Sequence, residues 1–292
     1  MHVQRREKLP LRGLMQIYQD NLEVGEHNTD ISPKRSANAR PATRTEALMA
    51  QFQTRPLGAT AGLAIDAGLR AHMNSVYSTM TVGMLVTAGI SWAVGTTPAL
   101  LMTFINPESG SLNILGWIIT FLPLVMVMIF SAALPRLSVG AAQLFFYVYA
   151  AAMGLSLSFI FAIFTGASIF TTFLATAASF AGLSLYGYTT KRNLSGMGSF
   201  LMMGLVGILV AMIVNMFLAS SALQFAISVI GVLIFAGLTV YDTQAIKGEY
   251  VANARAGNEE WMAKSAIMGA LRLYLDFINL FTFLLQFMGD RR

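Results

Sequence analysis

Two aspartates stand in sequence where a charge is hard to accommodate. Asp242 lies in Leu238-Thr-Val-Tyr-Asp-Thr-Gln-Ala-Ile246 and Asp276 in Leu271-Arg-Leu-Tyr-Leu-Asp-Phe-Ile-Asn279, both inside long apolar runs. An ionised side chain at the centre of a bilayer costs at least about 2.5–3.5 kcal/mol, so such a residue usually faces a partner or a water-filled cavity and marks function. Two carboxylates brought close together cannot both ionise comfortably. They would share one proton and change charge near physiological pH, the behaviour of a proton sensor or relay. Two structural readings compete: a simple hydrogen-bonded pair, or an ion pair between Arg272 and Asp276 one helical turn apart. Asn279, three residues beyond Asp276 on the same helical face, could hydrogen-bond the carboxyl or merely pack.

Other chemistries find little support. With no cysteines in the chain, disulfides, thiolate metal sites and cysteine nucleophiles are excluded. The three histidines, His2, His27 and His72, all precede the first long apolar run, so no histidine is expected in a span. There is neither a His-Glu-x-x-His pair nor a phosphate-cradling loop ending in Lys-Ser or Lys-Thr. Gly166-Ala-Ser168 lacks the following glycine and any histidine base for a serine protease. An aspartyl intramembrane protease would also use two membrane aspartates, but the Tyr-Asp-Thr-Gln context does not resemble that class. The reading is therefore not an enzyme and without a resident cofactor.

The elements that must position the aspartates are helices in lipid. Of 292 residues, 55% are hydrophobic and 11% charged, against roughly 25% charged in soluble domains. A bilayer core needs roughly 20 apolar helical residues, and the runs that qualify are 74–94, 112–134, 139–164, 169–188, 199–218, 223–246 and 266–288. Backbone groups in lipid must be satisfied within their own segment, so these are helices, and the fold class is an all-α bundle of seven transmembrane helices. Residues 66–292 form this domain. Residues 1–65 read as a polar, basic cytoplasmic tail, mostly disordered, with a short helix near Thr45–Gln53 and some attraction to anionic lipid or to a membrane-protein partner. The basic residues sit at segment ends rather than along one face, which argues for membrane topology over nucleic acid. Arg136, Lys191, Arg192, Lys247, Arg255 and Lys264 all fall on one side with the tail, so the N-terminus is expected in the cytoplasm and the C-terminus outside. Small residues at helical spacing, Ala150, Ala151 and Gly154, or Gly204, Gly207 and Ala211, read as packing contacts.

The segments around the aspartates resemble the paired signatures of the transmembrane Bax-inhibitor motif family, in its bacterial branch. Asp66-Ala-Gly-Leu-Arg-Ala-His-Met73 with Val76-Tyr77 is similar to the family's lead into its first helix, and the resemblance spans residues 62–289. It implies a bundle with the last helix near its centre, a bacterial inner-membrane location, and a pH-sensitive calcium leak. The family's pH-sensing aspartates match Asp242 and Asp276. Its basic residue at the inner end of the second helix, which latches the sixth-helix aspartate, matches Arg136, which could equally be a positive-inside anchor. Arg272 is not part of that pattern.

The expected mechanism is a proton-gated cation leak in which the aspartate pair, with Arg136, closes the cytoplasmic mouth. Calcium takes six to eight oxygen ligands, so Asp242 and Asp276 would bind it weakly, helped by water, carbonyls, Gln244 and Asn279 along a polar path that includes Arg272. The alternative is a non-transporting modulator of a membrane protease, translocon or stress response, acting through the tail.

Overall fold

The computed structural model describes residues 57–254 and 258–292, with side chains from Ile65 onward. Among these residues seven helices are long and apolar enough to cross a bilayer: Ile65–Gly95, Ile114–Arg136, Val139–Ile163, Gly166–Thr189, Ser195–Leu218, Ser221–Asn253 and Glu259–Met288. No β-strand occurs among the described residues, only two isolated bridges, Ile105 to Leu112 and Phe164 to Arg291. The protein is an all-α membrane bundle. The expected short helix near Thr45–Gln53 and the character of the tail lie outside the described residues, as does Arg255.

Local chemistry starts most of the spans. Asn113, Ser138, Thr165, Ser220 and Asn258 each accept a hydrogen bond from the backbone N–H three residues on, opening the second, third, fourth, sixth and seventh spans. These side chains satisfy donors that a helix start leaves orphaned. The turn between the fifth and sixth spans closes on Ala219 in the left-handed region, at φ 47°.

Several helices outrun the apolar stretches that announce them. The first begins at Leu57 rather than Asn74, the sixth continues to Asn253 rather than Ile246, and the seventh starts at Glu259 rather than Ala266. Hydropathy marks contact with hydrocarbon, whereas the helical hydrogen-bond ladder continues into the interface wherever caps and neighbours support it. As a result Lys247, Glu249 and Lys264 are helical, and His72 belongs to the first span. The expectation of spans free of histidine is corrected: His72 is buried and stacks on Tyr250 with ring centroids 4.9 Å apart. The third span, conversely, breaks at Ser158 before a short turn of helix, Ile160–Ile163.

Contacts between segment ends fix the alternating direction of the helices. At one end, Lys264 Nζ donates to Pro135 O, Lys247 Nζ to Tyr188 O, and Gln244 Nε2 to Arg192 O. At the other, Thr165 N donates to Asp290 O and Arg292 N to Ile163 O. The first of these is hereafter the basic end. In the seventh span 67% of the most apolar stretch is buried, against 17–44% in the others. Its neighbours include the third, fourth and sixth spans and, through Tyr274 and Thr87, the first. Gly154 meets the Thr87 carbonyl and Gly187 the Val240 carbonyl so closely that an added Cβ would lie 2.8 and 2.4 Å away. Gly204 packs on Ile234, but Gly207 faces open space, so only part of the small-residue pattern serves packing.

Candidate functional site

Hydroxyls tie the seventh span to its surroundings. Tyr274, fully buried, shares a 2.7 Å hydrogen bond with Thr87, whose hydroxyl donates to Ala150 O. The single Thr87 proton is thereby used, so Tyr274 is the donor of their bond. A second relay crosses the first, fourth and sixth spans: Tyr77 to Ser184 at 2.6 Å, Ser184 to Thr243 at 3.0 Å, and Thr243 to Thr239 O at 2.7 Å. By the same count the protons run from Tyr77 towards Thr239. These links fix the rotation of the sixth and seventh helices, and with it the direction in which Asp242 and Asp276 project.

Asp242 and Asp276 meet. Both line a cavity of about 360 Å³ between the fifth, sixth and seventh spans, and their carboxyl groups interact directly. Asp276 is only 4% exposed, and its Oδ2 is fully buried with no hydrogen-bond partner among the described residues. An unpartnered buried carboxylate oxygen is costly, and a shared proton is the arrangement that suits two such groups.

Arg272 lines the same cavity but takes a different partner from the expected one. Its Nη1 lies 2.7 Å from Oε1 of Glu249, not on Asp276. The i,i+4 pairing within the seventh span is thus corrected: Glu249 on the sixth helix lies within reach, and its half-exposed carboxylate is cheaper to hold charged than a buried aspartate. Among the described residues the aspartate pair has no ion-pairing cation of its own, although Arg272 remains a nearby positive charge.

The other expected residues divide. Asn279 lines the cavity, but its Nδ2 donates to Leu275 O at 2.8 Å rather than to the Asp276 carboxyl. Gln244 is away from the cavity: its amide accepts from Leu194 N and donates to Arg192 O, clamping the link between the fourth and fifth spans. Arg136 is exposed on the 3-10 turn that ends the second span, and it has no ion pair among the described residues. The structure adds Glu249, Thr282 and Gln286, which sequence reading did not single out. The spacing of Arg272, Asp276, Asn279, Thr282 and Gln286 along one helical face was the available signal. No group of three histidine, aspartate or glutamate side chains among the described residues could hold a metal ion.

Comparison with known proteins decides the family. The family described as "Inhibitor of apoptosis-promoting Bax1" matches residues 69–292. The chain belongs to this Bax inhibitor family. Inner membrane protein YbhL of Escherichia coli is 47% identical over 229 residues, 77% of this chain and 94% of YbhL. A Rickettsia prowazekii protein is 44% identical over 227 residues, 78% of this chain and 92% of its own. Protein YrjE of Lactococcus lactis is 44% identical over 223 residues, 76% of this chain and 92% of its own. Family membership and the apolar helices make the chain an integral membrane protein similar to a bacterial inner-membrane protein. Both aspartates, Arg272 and the cavity they line fall within the matched region.

Proposed function

We propose that this protein is a pH-sensitive leak for calcium or another small cation, gated by the Asp242–Asp276 pair. The observation that carries the reading is the meeting of two membrane carboxyl groups, one with a buried oxygen unpartnered among the described residues, in a cavity with polar side chains along one wall. Protonation changes the charge of the pair, and the charge decides whether the helices that carry it stay together. The resemblance to a family of calcium leaks supports the same reading, as does the lack of a catalytic constellation in the sequence.

The basic end faces the cytoplasm in this proposal, because Arg136, Lys191, Arg192, Lys247 and Lys264 gather there. The C-terminus then lies outside, and the seventh span serves as the axis around which the others rearrange. Arg136 would latch Asp242 only after the second span shifts. Calcium would bind weakly and in passing, since two carboxylates and an amide fall short of its usual oxygen shell.

The test is calcium flux into proteoliposomes across pH 5 to 8, for the native chain, Asp242→Asn and Asp276→Asn. A pH-dependent leak flattened by either substitution supports the gate. No flux above empty liposomes, from protein shown to be folded, sinks the leak reading and turns attention to a modulating role through residues 1–65.

A further inference from the structure

Beyond the aspartates, the seventh span carries a polar file that an impermeable helix would not need. Arg272, Asp276, Asn279, Thr282 and Gln286 recur at steps of three and four residues and line one cavity. At 1.5 Å per residue the file extends about 21 Å, most of the thickness of a hydrocarbon core. The fifth span supplies the facing wall, and it is apolar: Met202, Leu205, Ile208, Leu209 and Met212. That span is also the one whose most apolar stretch is least buried of the seven.

At the end opposite the basic one, the file runs into a chain of side-chain amides. Gln224 Nε2 donates to Gln286 Oε1 at 2.6 Å, and Asn215 Nδ2 donates to Gln224 Oε1 at 3.1 Å. Ser220 N donates to Asn215 Oδ1 at 3.0 Å. Every amide oxygen in the chain is thereby occupied, and the fifth, sixth and seventh spans are joined at that end. Asn279 contrasts with them: its nitrogen is used on Leu275 O, while its oxygen has no protein partner among the described residues.

We infer that the polar file of the seventh span is a path for water and a small cation, closed at its far end by the Asn215–Gln224–Gln286 amide chain. Beyond Asp276 the path's ligands are the neutral side-chain oxygens of Asn279, Thr282 and Gln286, suited to a hydrated or partly dehydrated cation, and its apolar wall closes by excluding water while the amides hold it shut. Opening breaks the amide chain, frees the oxygens of Gln224 and Gln286 to face the ion, and lets the fifth span move off the file. The inference rests on the leak reading for its physiological meaning, but the path itself is tested without flux.

The chain has no cysteines, so single-cysteine variants report one site each. Thr282→Cys, in nanodiscs, is treated with a positively charged, membrane-impermeant methanethiosulfonate reagent, with and without Gln224→Leu. The expected result is a reaction rate at least about tenfold higher when Gln224→Leu is present, because that substitution removes two amide hydrogen bonds from the closed state, the one to Gln286 and the one from Asn215. Gln286→Met, close in shape, cuts only the Gln224–Gln286 bond and gives an increase in the same direction, smaller than that of Gln224→Leu. Phe217→Cys, 80% exposed near the end of the fifth span and outside the cavity lining, reacts at one rate with and without Gln224→Leu and separates gating from unfolding. Equal rates with and without the amide chain overturn the gate, and so does a parallel rise at Phe217→Cys. In the flux assay Gln224→Leu raises the leak at every pH without moving its pH midpoint. If the native chain and Gln224→Leu both carry no calcium while Thr282→Cys still responds, the leak reading fails and the water path stands.

Discussion

The first and fourth spans, backed by the seventh and in one case the third, line two cavities of about 630 and 520 Å³, while the fifth, sixth and seventh line one of about 360 Å³. The larger pair are walled mostly by methionine, phenylalanine and alanine; Tyr77, Ser184 and Thr87 are committed to hydrogen bonds, Ser91 keeps a buried hydroxyl without a partner among the described residues, and the cations, Arg70 and Arg292, lie at the extremities. The smaller cavity holds two aspartates, an arginine and three uncharged polar side chains against an apolar wall. Space therefore lies on one side of the bundle and charge on the other. In a membrane, unfilled volume beside lipid costs little because acyl chains can enter it. A carboxyl group in the same place costs kcal/mol and needs a purpose.

The sharpest way to break this contrast is to remove the charge. Asn is nearly isosteric with a protonated Asp, so Asp276→Asn should hold the leak at the level the native protein shows at its acid limit, at every pH. A native pH profile for Asp276→Asn in proteoliposome flux would place the sensor elsewhere. Severing the Asn215–Gln224–Gln286 chain should come next, with the tenfold change in thiol accessibility described above. The Glu249–Arg272 pair should then tune the profile. Glu249→Gln frees the guanidinium to favour charged aspartates, so the pH midpoint of the leak moves to more acidic values. Arg272→Gln moves it the other way, each by about one pH unit, the scale on which a neighbouring charge acts. Because the native pair is partly exposed, with side-chain exposures of 37% and 44%, its loss should leave thermal stability nearly unchanged.

Two glycines probe packing apart from charge. Gly187→Ala would press a Cβ against the Val240 carbonyl and should cost about 1–3 kcal/mol, read as a lowered melting temperature in detergent. Gly207→Ala, with open space around it, should be neutral or slightly stabilising by up to about 1 kcal/mol. The smallest effect is expected on the spacious side. Met84→Ala, which enlarges both large cavities at their shared wall, should leave the pH midpoint where it is. A shift there would show that the larger cavities belong to the gate.

Much of this architecture was legible in order. Apolar runs separated by Pro, Ser and Asn breaks announced the seven spans, because hydrocarbon tolerates only helices and admits few charges. The misread helix boundaries share one cause. The first helix from Leu57, the sixth to Asn253 and the seventh from Glu259 continue past the hydrocarbon on ordinary helical hydrogen bonds, to which hydropathy is blind. His72 was thereby read as outside the spans and Glu249 was overlooked. The aspartates were visible because each is a single polar residue in a long apolar window. Gln224, Asn215 and Gln286 were not, since each looks unremarkable alone and gains meaning only from the other two.

The sequence by itself determined that this chain crosses a membrane in seven helices and carries two carboxyl groups where charge is expensive, because both follow from transfer free energy summed along the chain. Only the tertiary structure decided that Arg272 pairs with Glu249 rather than Asp276, that Gln244 clamps a loop, and that an amide chain closes the far end of the polar file. Those choices depend on how each helix is rotated about its axis. Rotation is set by packing between segments far apart in sequence, such as Tyr274 on Thr87 and Gly187 on the Val240 carbonyl.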